Sequence, residues 1–210
     1  MTSSCRHARR PTMRSDLTLI HGWIPEGAHV LDLACGDGTL LHALARDKGV
    51  SGYGLEIDPD GITACIEKGV SVIEQNLDEG LANFEDDACD LVIMTQALQA
   101  LRRPDRMLDE MLRVARECII TFPNFAYWRH RVHLGLRGYM PVSKSLPHAW
   151  YDTPNIHLST FNDFEALCRD KGVTIVDRAV GIKDHEGRRL SRLWPNLFGE
   201  IAIFRVSRDG

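Results

Sequence analysis

The sequence contains no long hydrophobic run. No stretch approaches the roughly 20 apolar residues that a membrane-spanning helix requires, so we expect no membrane partner. Residues 1–12 are polar and basic, and they lack the apolar segment of a secretory signal. We expect residues 1–12 to be a disordered tail or the product of a mis-assigned start, with the domain covering residues 13–210.

Paired cysteines are also missing. The six cysteines are widely spaced, with no Cys-x-x-Cys pair and no metal-ligand spacing, and several lie within apolar runs. This distribution excludes a disulfide framework and predicts that the protein holds no metal. Cysteines scattered in apolar runs are typical of small core residues in a reducing cytosol, so we expect a cytoplasmic protein.

Basic charge is not in excess, and neither internal repeats nor low-complexity tracts occur. The formal net charge is -4, which argues against a dedicated nucleic-acid-binding protein. A length of 210 residues favours one domain with a sizeable core.

Short apolar segments alternate with segments of helical periodicity. Strands are predicted at residues 29–34, 52–57, 70–74, 89–95, 118–122, 173–180 and 200–206. Of the helices between them, one follows Pro59 with Ile66 facing inward, and one begins near Pro104 with Ala115 in its buried stripe. This alternation predicts an α/β fold in which helices cover both faces of a mostly parallel sheet.

From Asn124 to Thr160 the alternation stops, and an irregular insertion rich in aromatic, His, Pro and Arg residues follows. Within it, residues 127–137 carry an apolar helical stripe of Trp128, Val132 and Leu136 beside a basic stripe. We expect the apolar stripe to pack on the core. The alternative is a face that binds an anionic ligand or a partner. Lys183 to Pro195 is predicted to be a polar, basic loop.

The most informative segment is the turn that follows the first predicted strand, with the pattern Asp32-x-Ala34-x-Gly36-x-Gly38. Glycines let the backbone approach a ligand closely, and Glu56, at the end of the next strand, can accept both hydroxyls of a ribose. The spacing differs from the Gly-x-Gly-x-x-Gly of dinucleotide-binding proteins. These residues together predict a site for a nucleoside ligand.

This pattern resembles the first motif of class I S-adenosylmethionine-dependent methyltransferases. The resemblance implies a single-domain, Rossmann-like fold with a seven-stranded sheet whose last strand is antiparallel. It also implies S-adenosylmethionine or S-adenosylhomocysteine as the ligand. The cofactor-binding residues that it implies lie at or just after the ends of predicted strands: Asp32, Ala34, Gly36, Gly38, Glu56, Ile57, Asn76, Leu77, Thr95 and Gln96.

In that family the first turn cradles the amino-acid end of the cofactor, the acid after the second strand binds the ribose, and Ile57 would pack on adenine. Asn76 stands where the family most often has Asp for the adenine, and it keeps an acceptor without the charge. Thr95 and Gln96 would line the methyl-donor end. Ala34 replaces the usual glycine, and its Cβ lies where the backbone should approach the ligand most closely.

No catalytic group is evident. Amino-methylating members of this fold carry an Asn/Asp-Pro-Pro-aromatic turn after the fourth strand, where this chain has Thr95-Gln96-Ala97-Leu98. His157 and Tyr151, both in the insertion, are the candidates for a residue near a methyl acceptor. The alternative role for His157 is structural hydrogen bonding.

A more specific resemblance covers about residues 13–182. Residues 52–58, 96–100 and 122–129, together with the block at 140–158, are similar to the MetW family of methionine biosynthesis proteins. That family implies a bacterial cytosolic protein that acts beside a homoserine O-acyltransferase of α/β-hydrolase fold. We therefore expect a ligand-binding protein that supports this acyltransferase. The alternative is an active methyltransferase that acts on a small-molecule acceptor.

Overall fold

A single seven-stranded sheet organises the protein, whose computed structural model describes residues 15–181, 191 and 193–208. The strands are β1 His29–Leu33, β2 Ser51–Glu56, β3 Val72–Glu74, β4 Cys89–Thr95, β5 Ala115–Pro123, β6 Thr174–Gly181 and β7 Ile201–Ser207. Their order across the sheet is β3-β2-β1-β4-β5-β7-β6. Strands β1 to β5 pair in parallel, and β7 is antiparallel to both β5 and β6. The predicted mostly parallel sheet with an antiparallel last strand is confirmed.

Within the described residues, seven α-helices connect or flank these strands. They are α1 Ser15–Trp23, α2 Thr39–Lys48, α3 Pro59–Glu67, α4 Pro104–Val114, α5 Trp128–Arg137, α6 Phe161–Lys171 and α7 Pro195–Phe198. Short 3-10 turns follow β3 (Leu77–Glu79) and β4 (Leu98–Ala100). Across the described ranges, none of the helices has the length and apolar character needed to cross a bilayer. The predicted tail at residues 1–12 and most of the predicted loop at 183–195 lie outside the described residues.

The core consists of two apolar clusters, one on each face of the sheet. One packs α4 and α6 against the sheet, and the other packs α1 and α2 against it. The central strands are buried on both faces, as expected for parallel strands, and Ile93 of β4 is wholly inaccessible. Burying one such side chain stabilises the fold by about 1.5–3 kcal/mol. Cys65, Cys89, Cys118 and Cys168 are buried in this core, as predicted.

Two local predictions were wrong. Ala115 begins β5 instead of continuing α4, because the helix ends at Val114 and Ala115 takes extended backbone angles. Ile66 of α3 does not face inward: its side chain is 65% exposed, and Cys65 is the buried residue of that helix. Both positions lie near the end of a helix, where the periodic pattern is least constrained.

Helix α5 is oriented opposite to the prediction. Trp128, Val132 and Leu136 are 38%, 47% and 83% exposed, whereas His130 is buried. Successive residues of a helix are about 100° apart, so a residue two positions away from an exposed stripe lies nearly on the opposite side. The His130 ring contacts Tyr127 and lies 3.1 Å from the Ser143 hydroxyl through Nε2. The inner face of α5 therefore meets a partly polar layer formed by the insertion.

Candidate functional site

The turn between β1 and α2 has an unusual backbone. Ala34, Gly36 and Gly38 all have positive φ angles, of 54°, 58° and 69°. Glycine takes this conformation without cost, whereas a residue with a Cβ pays about 1–2 kcal/mol. A Cβ at Gly36 would have no atom of the described residues within 4 Å beyond its chain neighbours, so the glycine is needed for its backbone conformation and the space beside it is open. At Gly38 a Cβ would also meet Cys65 Sγ at 2.8 Å.

Asp32, near the end of β1, is buried beneath this turn. It is 1% exposed, and its Oδ1 has no hydrogen-bond partner among the described residues. Burial, and secondarily the charge of Glu56, raise the pKa of Asp32 from 3.8 to about 8. Such a buried acceptor is costly without a partner. A ligand that brings a cationic nitrogen would satisfy the carboxylate and favour its charged form.

Glu56, the last residue of β2, connects the two strand ends. Its Oε2 accepts a hydrogen bond from the Gly36 main-chain N–H at 2.7 Å. Its Oε1 accepts from the N–H groups of Ile57 at 2.8 Å and Asp58 at 3.0 Å. A carboxylate has about four lone-pair sites, so one remains, on Oε2. Glu56 can therefore accept one ribose hydroxyl as it stands, and it must give up a main-chain bond to accept two.

The predicted adenine side is open. Ile57 is 56% exposed just beyond β2, as an apolar surface for a planar base requires. The Asn76 side chain accepts a hydrogen bond from the Asp78 N–H at 3.1 Å, so it caps the 3-10 turn and retains its amide N–H donors. Leu77 is buried in the apolar cluster, where it contributes packing.

A network of amides occupies the end of β4. Gln96, which follows Thr95, has a positive φ of 55°, and its N–H donates to the Thr121 carbonyl at 2.8 Å. Its side-chain Nε2 donates to Asp16 Oδ2 at 3.2 Å. Gln99 Nε2 in turn donates to the Gln96 carbonyl at 2.6 Å. This network holds the strand end, where the resemblance places the methyl donor, in a fixed geometry.

Asp16 and Gln99 were not singled out from the sequence. Both are buried polar residues, and Gln99 Oε1 has no hydrogen-bond partner within the part of the chain that the structure describes. Asp16 lies 80 residues from Gln96, so no local spacing connects the two. The signal available in the sequence was that Asp16 and Gln99 are each a polar residue within a short, otherwise apolar segment.

The catalytic candidates lie in the insertion, with exposed side chains. Tyr151 is 75% exposed and forms an edge contact with Trp150. The His157 side chain is exposed as well, but its main-chain N–H donates to the Gln99 carbonyl at 3.0 Å, as does that of Ile156. The main chain at 156–157 is thus anchored at the end of β4.

The turn also brings two thiols together. Cys35 Sγ lies 3.7 Å from Cys65 Sγ, and Cys65 Sγ donates to the Gly36 carbonyl at 3.3 Å. Burial raises the pKa of both thiols, so both are protonated at neutral pH. No group of three or more His, Cys, Asp or Glu side chains in residues 15–181, 191 and 193–208 is placed to hold a metal ion.

These residues fit the groups of S-adenosylmethionine. Asp32 Oδ1, which lacks a partner within the described ranges, suits its ammonium, the remaining Glu56 lone pair suits a ribose hydroxyl, and Ile57 suits the adenine face. The open space at Gly36 allows the backbone to approach the ligand. The site lies where β1 neighbours both β2 and β4, and strand order reverses at that point. Open α/β sheets bind ligands at such a switch point.

Comparison with solved structures identifies the same architecture. A methyltransferase from Mesorhizobium loti described as S-adenosylmethionine dependent superimposes with a TM-score of 0.66 at 15% identity, over 92% of this chain and 98% of that one. A SAM-dependent methyltransferase from Archaeoglobus fulgidus gives a TM-score of 0.60 at 17% identity, over 91% and 94%. At these identities the similarity establishes the fold alone.

Sequence comparison is more specific. The profile of the family described as "Methionine biosynthesis protein MetW" matches residues 14–206. The bifunctional methionine biosynthesis protein MetXA/MetW of Rhodopirellula baltica is 34% identical over 215 aligned residues, covering 95% of this chain. The match spans only 34% of the length of that relative. The chain therefore belongs to the MetW family of methionine biosynthesis proteins.

Proposed function

We propose that the protein binds S-adenosylmethionine or S-adenosylhomocysteine at the β1–β2 end of the sheet and supports a homoserine O-acyltransferase in methionine biosynthesis. The observation that carries this proposal is the contrast between the two halves of the site. The β1–β2 half offers the Asp32 Oδ1, which has no hydrogen-bond partner in the part of the chain that the structure describes, an open turn, and an exposed apolar side chain at Ile57.

The β4 half offers little for a transfer reaction. Methyl transfer requires an oriented acceptor and often a base. Here the Gln96 side chain is bound to Asp16, and the Gln99 amide N–H is bound to Gln96. These amides do not titrate near neutral pH. A site that binds the cofactor without handling an acceptor suits a sensor better than an enzyme.

The R. baltica relative supports the choice of partner. Its name joins MetXA to MetW, and the match to this chain covers 34% of its length. We infer that the MetXA part is the homoserine O-acyltransferase that the family resemblance implies. S-adenosylmethionine is made from methionine. A protein that binds S-adenosylmethionine and acts on an early enzyme of methionine synthesis would therefore provide feedback control.

Calorimetry tests both parts. The purified protein would be titrated with S-adenosylmethionine and with S-adenosylhomocysteine, each with and without the acyltransferase, and the acyl-transfer rate would be measured in parallel. We expect micromolar binding that shifts when the partner is present, because coupling between two binding sites is reciprocal. The proposal would be refuted if neither ligand binds and if the acyl-transfer rate is the same with and without the protein.

The second candidate is an active methyltransferase on a small acceptor. Gln99 Oε1 is buried and has no hydrogen-bond partner among the residues that the structure describes, and the main chain of His157 is anchored on the same residue. An amide oxygen in that position can orient the N–H of an amine acceptor. This candidate predicts ligand binding that is independent of the acyltransferase, and methyl-transfer turnover that Gln99→Leu and His157→Ala reduce.

A further inference from the structure

The exposed hydrophobic side chains of the protein are concentrated in one segment. Eleven of the 18 large hydrophobic residues that are exposed among the described positions lie between residues 128 and 158. Single exposed hydrophobic residues are ordinary, whereas adjacent ones mark an interaction site, and Trp128, Val132 and Leu136 lie side by side on α5 because they are four residues apart. We call this set the insertion surface: Trp128, Val132, Leu134, Leu136, Tyr139, Met140, Val142, Trp150, Tyr151, Ile156 and Leu158.

Main-chain N–H groups of Ile156 and His157 tie the insertion to the domain at the Gln99 carbonyl, each over 3.0 Å, and polar contacts within the insertion order its loop against α5. Ser143 Oγ contacts the His130 ring at 3.1 Å and the Ser145 hydroxyl at 3.1 Å, and it accepts the Leu146 N–H at 3.2 Å. Leu146 is buried beneath the loop. The hydrophobic side chains therefore extend from an anchored backbone. Ordering the surface before contact lowers the entropy cost of association.

The charge of the insertion differs from that of the rest of the chain. Residues 124–160 contain three arginines and one lysine but only one acid, Asp152, which gives a net charge of +3. The whole chain carries -4, so the remaining residues carry -7. A partner that fits this surface has an apolar centre and acidic side chains around it, because complementary charge speeds encounter and disfavours wrong partners.

A cavity adjoins α5 at Arg131. It has a volume of about 570 Å³, and its wall includes Trp194, Phe198 and Arg178. Asn196 also lines it and has a buried Oδ1 without a hydrogen-bond partner among the described atoms. Arg178 is ion-paired with Glu165, which also lines the cavity, so the aromatic walls are what suits an apolar anchoring side chain of a partner.

We propose that the insertion surface is the docking site for the homoserine O-acyltransferase. This inference rests on the proposed function, which names that partner. In the R. baltica relative the matching segment occupies 34% of a chain that also bears the MetXA name, so there the partner is a permanent neighbour. A standard interface uses roughly 20–30 residues from each side, which the single insertion supplies.

Alanine variants test the docking site without disturbing the helix, since alanine has the highest helix propensity. Leu136→Ala in α5 and Trp150→Ala in the loop are the test variants, and Ile66→Ala on α3, 65% exposed, is the matched control. The dissociation constant for the acyltransferase of the same organism would be measured by calorimetry. We expect each test variant to weaken binding at least ten-fold and the control to bind like the wild type.

A charge variant gives a second measurement. Arg137→Glu reverses an exposed charge at the end of α5 and should slow association and reduce its dependence on salt. Thermal unfolding of each variant would verify folding. Wild-type-like affinity in all test variants, while the wild type binds the acyltransferase, would place docking elsewhere and leave the proposed function intact.

Two other outcomes are distinguishable. If the wild-type protein does not bind the acyltransferase at all, the proposed function fails together with this inference. If sedimentation shows that the wild type is a dimer and Leu136→Ala a monomer, the surface joins two copies of this chain, and the assignment of the acyltransferase to it is wrong.

Discussion

The main-chain N–H of Gly36 donates a hydrogen bond to the Glu56 carboxylate over 2.7 Å, across 20 residues of sequence. The turn after β1 and the end of β2 are therefore joined by a side chain that the resemblance assigns to the ligand. Glu56 has a structural role, which can be measured without any ligand, and a proposed ribose-binding role.

Glu56→Gln should destabilise the protein by about 1–3 kcal/mol. The amide nitrogen cannot accept a hydrogen bond, so in either orientation of the new side chain at least one main-chain N–H among Gly36, Ile57 and Asp58 loses its acceptor. Urea unfolding measures the change. Glu74→Gln, at the exposed end of β3, is the control and should change stability by less than about 0.5 kcal/mol. Equal effects at the two positions would contradict the structural role.

Asp32 should make stability fall as pH rises. Its pKa is about 8 in the folded protein against 3.8 ordinarily, so between these values the folded state holds a proton that the unfolded state has lost. Stability from this residue is present below about pH 4 and is lost by about pH 8. At about pH 8 the free energy of unfolding of Asp32→Asn should therefore exceed that of the wild type by roughly 1 kcal/mol or more. Near pH 4 the two proteins should be about equally stable.

Denaturation at both pH values checks this prediction. Asp152→Asn, which replaces an exposed loop carboxylate, serves as the comparison. A wild type whose stability rises between pH 4 and 8 relative to Asp32→Asn would mean that the Asp32 carboxylate is charged and satisfied in the folded state.

The same residue predicts a pH dependence of ligand binding. If the ammonium of S-adenosylmethionine pairs with the Asp32 carboxylate, binding requires the ionised form, which is scarce below its pKa of about 8. The dissociation constant should then rise about ten-fold for each pH unit below 8. Calorimetric titrations between about pH 6 and pH 8 measure this slope. Asp32→Asn should bind the ligand weakly, and its dissociation constant should not change with pH. If the dissociation constant of Asp32→Asn does change with pH, the effect belongs to another group.

Ala34→Gly should stabilise the turn. Alanine at a φ of 54° is strained by about 1–2 kcal/mol, and the additional chain entropy of glycine offsets about 0.5–1 kcal/mol of the relief. The net expectation is a gain of about 0–1.5 kcal/mol in unfolding free energy, with tighter ligand binding if the Cβ obstructs the ligand. Ala64→Gly in the middle of α3 is the matched control and should lose about 1 kcal/mol.

Gly38→Ala should be more damaging than Gly36→Ala, although both glycines have similar φ angles of 69° and 58°. The new methyl at position 38 meets Cys65 Sγ at 2.8 Å, whereas position 36 is open. We expect a loss of up to about 1.5 kcal/mol at 36, where the lower chain entropy of alanine offsets part of the strain, and a loss larger by about 1–3 kcal/mol at 38. Compared with Cys65→Ala alone, the double variant Gly38→Ala/Cys65→Ala should recover part of the difference, and no recovery would show that the contact with Cys65 is not its cause.

The sheet and the position of the turn after β1 could be predicted from the sequence. Apolar strands and amphipathic helices are encoded by periodicity, which is a local property. The amino-acid pattern around Asp32 and Gly36 likewise marks a strand followed by a tight turn. The prediction that Ala34 matters was made on the basis of its Cβ, and the structure adds that its backbone has a positive φ.

Other parts of the site could not be predicted, because they depend on which distant groups meet. Gln96 reaches Asp16 across 80 residues, and the lone pairs of Glu56 are taken by main-chain N–H groups that no residue type specifies. The orientation of α5 was predicted wrongly for a related reason. An amphipathic pattern shows that a helix has an apolar stripe, but it does not show whether that stripe meets the core or remains exposed.

The position of β7 has a consequence for the order of folding during synthesis. β7 follows β6 in the chain but lies between β5 and β6 in the sheet, and in the described part of the chain β6 pairs with no other strand. The half-sheet from β3 to β5 can pair as the ribosome releases it, while β6 emerges with no neighbour. Until residues 201–207 follow, the apolar edge of β5 stays open to other chains. Completion of this domain is therefore tied to release of its C-terminal strand.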